Sequence, residues 1–167
     1  MDKEEAQHLM SSLDFQNAVE ELKAAVQYLK AGGADKVGIC GFCMGGALSL
    51  AAAQHAGVAC AAPFYGLPSP EIAAPEGIKV PVQLHFGELD EYTGFSDPGS
   101  AREYGAKINA AGGSAEVIIY KGCGHGFLNT GAEGIAKRDH MGFPHPPAAK
   151  QEEAWASLLA FFDKNLH

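Results

Sequence analysis

Apolar residues recur at helical spacing in four stretches of the chain and gather into short unbroken runs in four others. In 14–31, DFQNAVEELKAAVQYLKA, the residues Phe15, Ala18, Val19, Leu22, Val26 and Leu29 form one stripe. Asp14 is placed to cap this helix and Gly32-Gly33 to stop it. The run Lys36–Cys40 reads as a buried strand, Gly41–Gly46 as a sharp turn, and the alanine- and leucine-rich Ala47–His55 as a helix. A second strand at 58–64, VACAAPF, leads into a proline-punctuated loop between Tyr65 and Lys79. A third strand, Val80–Phe86, runs into the loop GELDEYTGFSDPG. Asp97-Pro98 then fit a cap followed by proline at the first helical position, with Ala101, Tyr104, Ile108 and Ala111 as the apolar face. Gly112-Gly113 end that helix, and SAEVIIY at 114–120 makes a fourth strand. After an irregular stretch, Gly122–Pro147, a last helix from Ala148 to Leu166 carries Trp155, Leu158, Leu159, Phe162 and Leu166 on one side. Alternating strands and helices with near-continuous apolar strand cores predict an α/β fold, a mostly parallel sheet covered on both faces.

Composition narrows this picture. Apolar residues make up 47% of 167 and charged ones 19%, which suits a real core in one domain over 1–167 and excludes wholesale disorder. Twelve basic against twenty acidic side chains leave a net charge of −8, which argues against a nucleic-acid binder. No apolar run approaches the ~18–20 residues of a membrane span. The opening MDKEEAQHLM lacks the basic start and apolar core of a secretory signal. Four cysteines in a chain of this length, Cys40, Cys43, Cys60 and Cys123, do not make a disulfide scaffold, so a reducing, cytoplasmic compartment is expected.

The chemistry concentrates at Gly41-Phe42-Cys43-Met44-Gly45-Gly46, between a predicted strand and a predicted helix. This matches the nucleophile elbow G-x-S-x-G with cysteine in the serine's place. A nucleophile at such a reversal needs small neighbours, and Gly41 and Gly45 are read as those neighbours. The helix N-terminus lowers the pKa of the thiol, and the Met44 N–H faces a developing oxyanion. The competing structural reading makes Cys43 a small apolar residue in a tight turn.

A thiolate nucleophile needs a base and the base an orienting carboxylate, which on this fold follow in the order nucleophile, acid, histidine. Asp90 lies in the loop after the third strand and His125 just after the fourth, both at strand carboxyl ends, where open α/β sheets place their ligands. Glu88 and Glu91 rival Asp90, while His140 and His145 rival His125; His85, inside a strand, reads as a core residue. Tyr65, Tyr92, Phe95 and Phe127 are candidate pocket walls, with core packing the alternative for each. Cys40-x-x-Cys43 also resembles a redox pair and, with Cys123-x-His125, a zinc set. Cys40, however, falls inside the strand, where its side chain is expected to turn into the sheet packing, so no metal is assigned.

The segments VGICGFCMGG, HFGELD and KGCGHGFLN and the terminal EEAWASLLAFFDKNL resemble the successive motifs of the dienelactone hydrolase family, from about Phe15 to the C-terminus. The resemblance implies an α/β-hydrolase fold and a triad carried onto Cys43, Asp90 and His125. It also implies hydrolysis of a small lactone or ester through an acyl-thioester, without metal or organic cofactor. Two departures accompany it. Family members carry a further block of strands ahead of the helix at 14–31, which supplies a second oxyanion N–H and a glutamate that assists the thiol. Without that block the strand Lys36–Cys40 is expected to have an open edge, so that either the chain is a truncated product or a second protomer or another chain covers the edge. The family's carboxylate-holding arginine is replaced by Asn129, with Lys137 and Arg138 as substitutes from the loop. A reading from a different class is a non-catalytic remnant that binds a partner through that edge.

Overall fold

Four runs of small and branched apolar residues, β1 (Gly38–Phe42), β2 (Cys60–Phe64), β3 (Pro81–Gly87) and β4 (Ser114–Tyr120), form one sheet in the order β1-β2-β3-β4, and every pairing is parallel. This is a computed structural model, and it describes residues 3–167. The helices are α1 (Lys3–Ser11), α2 (Phe15–Ala31), α3 (Met44–His55), α4 (Pro98–Ala110), α5 (Ala132–His140) and α6 (Ala148–Leu166).

Period-2 alternation sorts the strand side chains between two covers. On one face Val82, Leu84 and Phe86 of β3 join Ala61 of β2, Val26 of α2, Leu50 and Ala53 of α3, and Ala101 and Ile108 of α4 in the larger core. On the other, Ala62, Phe64 and Tyr120 meet Ala154 and Leu158 of α6. The result is a three-layer arrangement. His85, as expected of a core residue, is fully buried on the α6 side, stacked on Phe64 at 4.2 Å and with its Nδ1 2.8 Å from the Tyr120 hydroxyl. Burial holds its pKa down at about 3, so the ring stays neutral.

Several boundaries differ from the pattern reading. β1 starts two residues later than expected, and α3 begins at Met44, directly after Cys43, because the turn is tighter than six residues. Helices α1 and α5 are absent from the pattern reading; both are mainly polar and lack a clear apolar stripe. On α2, Val19 and Val26 are buried while Leu29 is exposed; on α6, Ala154 and Leu158 face inward while Trp155 and Leu159 point outward. The true inner faces of these helices are narrower than the apolar stripes in the sequence. β1 stands at the edge of the sheet, as expected, with Gly38 packed beneath Phe162 and Leu166 of α6.

Asp97 starts α4 as its N-cap: its carboxylate accepts from the Ser100 N–H at 2.9 Å and the Gly94 N–H at 2.8 Å. Burial is the largest single influence and raises its pKa, but the bonds from Ser100, Gly94 and Gly99 together outweigh it and hold the carboxyl below its ordinary value. A depressed folded-state pKa contributes stability above the unfolded value that is lost as pH falls through the folded one. Asp97→Ala is therefore expected to cost about 1 kcal/mol at neutral pH. Urea titrations of both proteins should show that difference shrinking below the ordinary aspartate pKa.

Candidate active site

At the end of β1 the chain reverses into α3 through Cys43, whose backbone sits at φ 55° and ψ −119°. These dihedrals match the first central position of a type II′ turn, a conformation that favours glycine. The reversal is held by the Cys43 N–H, which donates to the Phe64 carbonyl (3.0 Å), and by the Gly46 N–H, which donates to the Cys43 carbonyl (2.8 Å). A side chain at Gly41 would lie 1.9 Å from the Gly45 carbonyl oxygen, so Gly41 has to be glycine. The reading of Gly45 needs correction. A Cβ there meets nothing within 4 Å; the close approach on the other flank belongs to Gly66, after β2, where a Cβ would lie 1.9 Å from the Cys43 carbonyl oxygen.

The loops after β3 and β4 are stitched together by Glu88 N–H to Tyr120 carbonyl (3.0 Å) and Leu89 N–H to Cys123 carbonyl (2.8 Å). That stitching brings Asp90 beside His125: Nδ1 of the ring lies 2.8 Å from Asp90 Oδ2. On its other side, Nε2 lies 3.3 Å from the Cys43 sulfur. The three residues singled out in three separate segments therefore meet in one row, with the Asp90 side chain wholly buried and that of His125 only 12% exposed.

The electrostatics follow from this contact. Burial opposes ionisation of Cys43, but the hydrogen bond and charge of His125 and the Met44 N–H together hold the thiol below its ordinary pKa. Burial also opposes the charged form of His125, yet Asp90 and Cys43 raise the ring to about 9. The other thiols move the opposite way: burial raises Cys40, and pushes Cys60 and Cys123 up to about 11. Among the described residues all four cysteines are free.

Aromatic rings surround the imidazole. Tyr65 (5.2 Å between centroids), Tyr92 (5.3 Å) and Phe143 (5.8 Å) stand edge-on to it, and Phe95 is tilted at 6.3 Å. Phe143 comes from the irregular stretch after α5 and carries no signal in the sequence. Phe127 is fully buried behind Tyr65, 5.5 Å ring to ring, and belongs to the α6-side core. Like Cys43, Tyr65 has positive φ, at 37°. Arg138 of α5 is buried, with one guanidinium N–H on the Asn129 carbonyl and its Nε without a partner among the described residues. Lys137 instead pairs with Glu133 at the surface. The rival groups lie elsewhere: Glu88 accepts from the Gly122 N–H, Glu91 and His140 are exposed, and His145 pairs with Asp139. Ser96, which the sequence also leaves unmarked, donates its hydroxyl to Asp90 Oδ1 at 2.9 Å.

The family model for "dienelactone hydrolase family" matches residues 1–166. The chain belongs to the dienelactone hydrolase family. Its relatives include the protein usf of Aquifex pyrophilus, 31% identical over 98% of this chain and 68% of that protein. Carboxymethylenebutenolidase of Pseudomonas putida is 28% identical over 79% of this chain and 56% of the enzyme. The chain thus spans between about half and two thirds of the length of these relatives. Among solved structures, a dienelactone hydrolase-like promiscuous phosphotriesterase from metagenomic libraries superposes with TM-score 0.74 at 21% identity, over 92% of this chain and 64% of that one. The fold is accordingly an α/β-hydrolase fold. No helix among the described residues is long and apolar enough to cross a membrane.

Proposed function

We propose that this dienelactone hydrolase family member hydrolyses a small ester or lactone through a thioester on Cys43. The observation that carries the reading is the row Cys43–His125–Asp90, with contacts of 3.3 and 2.8 Å, at a strained strand-to-helix reversal. The thiol proton passes to His125 Nε2 and the sulfur attacks the acyl carbon. The Met44 N–H at the start of α3 donates to the oxyanion that forms. The C–O bond then breaks, and His125 returns its proton to the departing alkoxide, which in a lactone stays tethered to the acyl group. Water adds to the thioester with His125 again as base, and the thiolate leaves. Asp90 keeps the Nδ1 hydrogen in place and stabilises the imidazolium. Tyr65, Tyr92, Phe95 and Phe143 would wall an apolar acyl or alcohol group, and the buried Arg138 would favour a substrate with negative charge.

Thiol labelling tests the activated sulfur. Limiting iodoacetamide at neutral pH is expected to label Cys43 first, since the other thiols are shifted upward. His125→Ala should abolish that preference, because burial then acts on the thiol with its main opposing group gone. In parallel, incubation with 4-nitrophenyl butyrate should leave an acyl group on Cys43, detected by mass spectrometry after acid quench. Equal labelling of all four cysteines together with no nitrophenolate release would reject the reading.

A further inference from the structure

We infer that Ser96 is a positioning residue for this reaction: its hydroxyl fixes the Asp90 carboxylate and the His125 ring in the arrangement that leaves Nε2 facing the Cys43 sulfur. The inference rests on the hydrolytic reading of the site and deepens it.

Ser96 is fully buried in the loop between β3 and α4. Its Oγ lies 2.9 Å from Asp90 Oδ1 and 3.2 Å from His125 Nδ1, while Nδ1 is 2.8 Å from Asp90 Oδ2. A serine has a single hydroxyl proton. Asp90 is an acceptor when ionised, so that proton goes to Oδ1 and the Ser96 oxygen turns a lone pair toward the ring. Nδ1 is then flanked by two acceptors, the carboxylate and the hydroxyl, and only an N–H satisfies both. That sets the tautomer. In the neutral ring Nε2 is left as the basic nitrogen, and it is the one that faces the sulfur.

The same hydroxyl controls rotation of the carboxylate. Apart from Ser96, the only donor to Oδ1 among the described residues is the Tyr92 N–H at 3.3 Å, beyond the usual range for such a bond. Without Ser96 the carboxylate is free to turn about its Cβ–Cγ bond and take Oδ2 out of line with Nδ1. Ser96 is itself fixed: its N–H donates to the Tyr92 carbonyl at 2.9 Å, and the next residue, Asp97, caps α4. The acid–imidazole pair is thereby tied to the rigid start of a helix.

Ser96→Ala in the full chain, assayed with 4-nitrophenyl butyrate, is expected to lower kcat about tenfold, the scale of one charge-assisted hydrogen bond, and to leave KM unchanged. Nitrogen-15 NMR of labelled histidine, recorded above the titration of the ring, should show His125 changing from one tautomer to a mixture. An unchanged kcat, or an unchanged tautomer, overturns the assignment. If Ser96→Ala does not fold, the near-isosteric pair Ser96→Thr and Ser96→Val decides. Thr, which keeps the hydroxyl, should exceed Val severalfold in kcat, and equal rates overturn the proposal. Failure of the hydrolytic reading looks different: the unaltered protein would then show no turnover that depends on Cys43, while the tautomer measurement would still decide the role of Ser96.

Discussion

Cys43→Ala is expected to lower kcat for 4-nitrophenyl butyrate by a factor on the order of 10⁴–10⁶, the range found when nucleophiles are removed from other hydrolases that work through a triad. The size follows from the covalent step. Without the sulfur there is no thioester, and water must attack the ester directly, helped by binding, the Met44 N–H and a His125 base that is positioned for the thiol. His125→Ala should lose nearly as much, since burial would then hold the thiol neutral. Because residues that act as one unit are non-additive, Cys43→Ala/His125→Ala should be no slower than the worse single variant. Stability should respond in the opposite sense to activity. A residue held at φ 55° and ψ −119° stores roughly 1–3 kcal/mol of strain, which glycine would release. Cys43→Gly is therefore expected to unfold at a higher urea concentration than Cys43→Ala while being equally inactive. Turnover in Cys43→Ala within tenfold of the unaltered protein would exclude the thioester route.

Sequence reading reaches some residues of this site and not others for physical reasons. Cys43 is visible because the reversal it occupies demands glycine at 41, directly after an apolar run, and little besides a strand-to-helix elbow requires that pattern. Asp90 and His125 are visible through topology, since each follows a strand whose apolar core is unmistakable. Ser96 carries no such mark. A lone serine in a polar loop resembles any turn residue, and its role arises from folding that brings positions 90, 96 and 125 together. Helix α5 is hidden because its buried side chain is an arginine, Arg138, and its remaining residues are largely polar. The same limit accounts for the error at Gly45. Sequence proximity suggests that the small residue is needed beside Cys43 in the chain, whereas the close contact comes from Gly66, twenty-three positions later and just past the end of the neighbouring strand.

That difference yields the second large effect. Gly66→Ala is expected to destabilise the protein by about 3–5 kcal/mol, a large share of the usual margin of ~5–15 kcal/mol and enough to lower the urea midpoint steeply. The added methyl would sit 1.9 Å from the Cys43 carbonyl oxygen and 2.8 Å from its carbon, both backbone atoms with no rotamer to escape into. Moving the carbonyl away strains the Gly46 N–H bond to it and the Cys43 N–H bond to Phe64, the two bonds that hold the reversal. Any molecules that do fold should have the sulfur displaced from His125, so the neutral-pH preference for alkylating Cys43 should fall together with the urea midpoint. Gly45→Ala is the internal control. Its methyl meets open space, and alanine is favoured over glycine within a helix by roughly 0.5–1 kcal/mol, so its midpoint should equal or exceed that of the unaltered protein. If Gly66→Ala unfolded at the same urea concentration as Gly45→Ala, the backbone contact between the elbow and the segment after β2 would not be what holds Cys43 in its strained conformation.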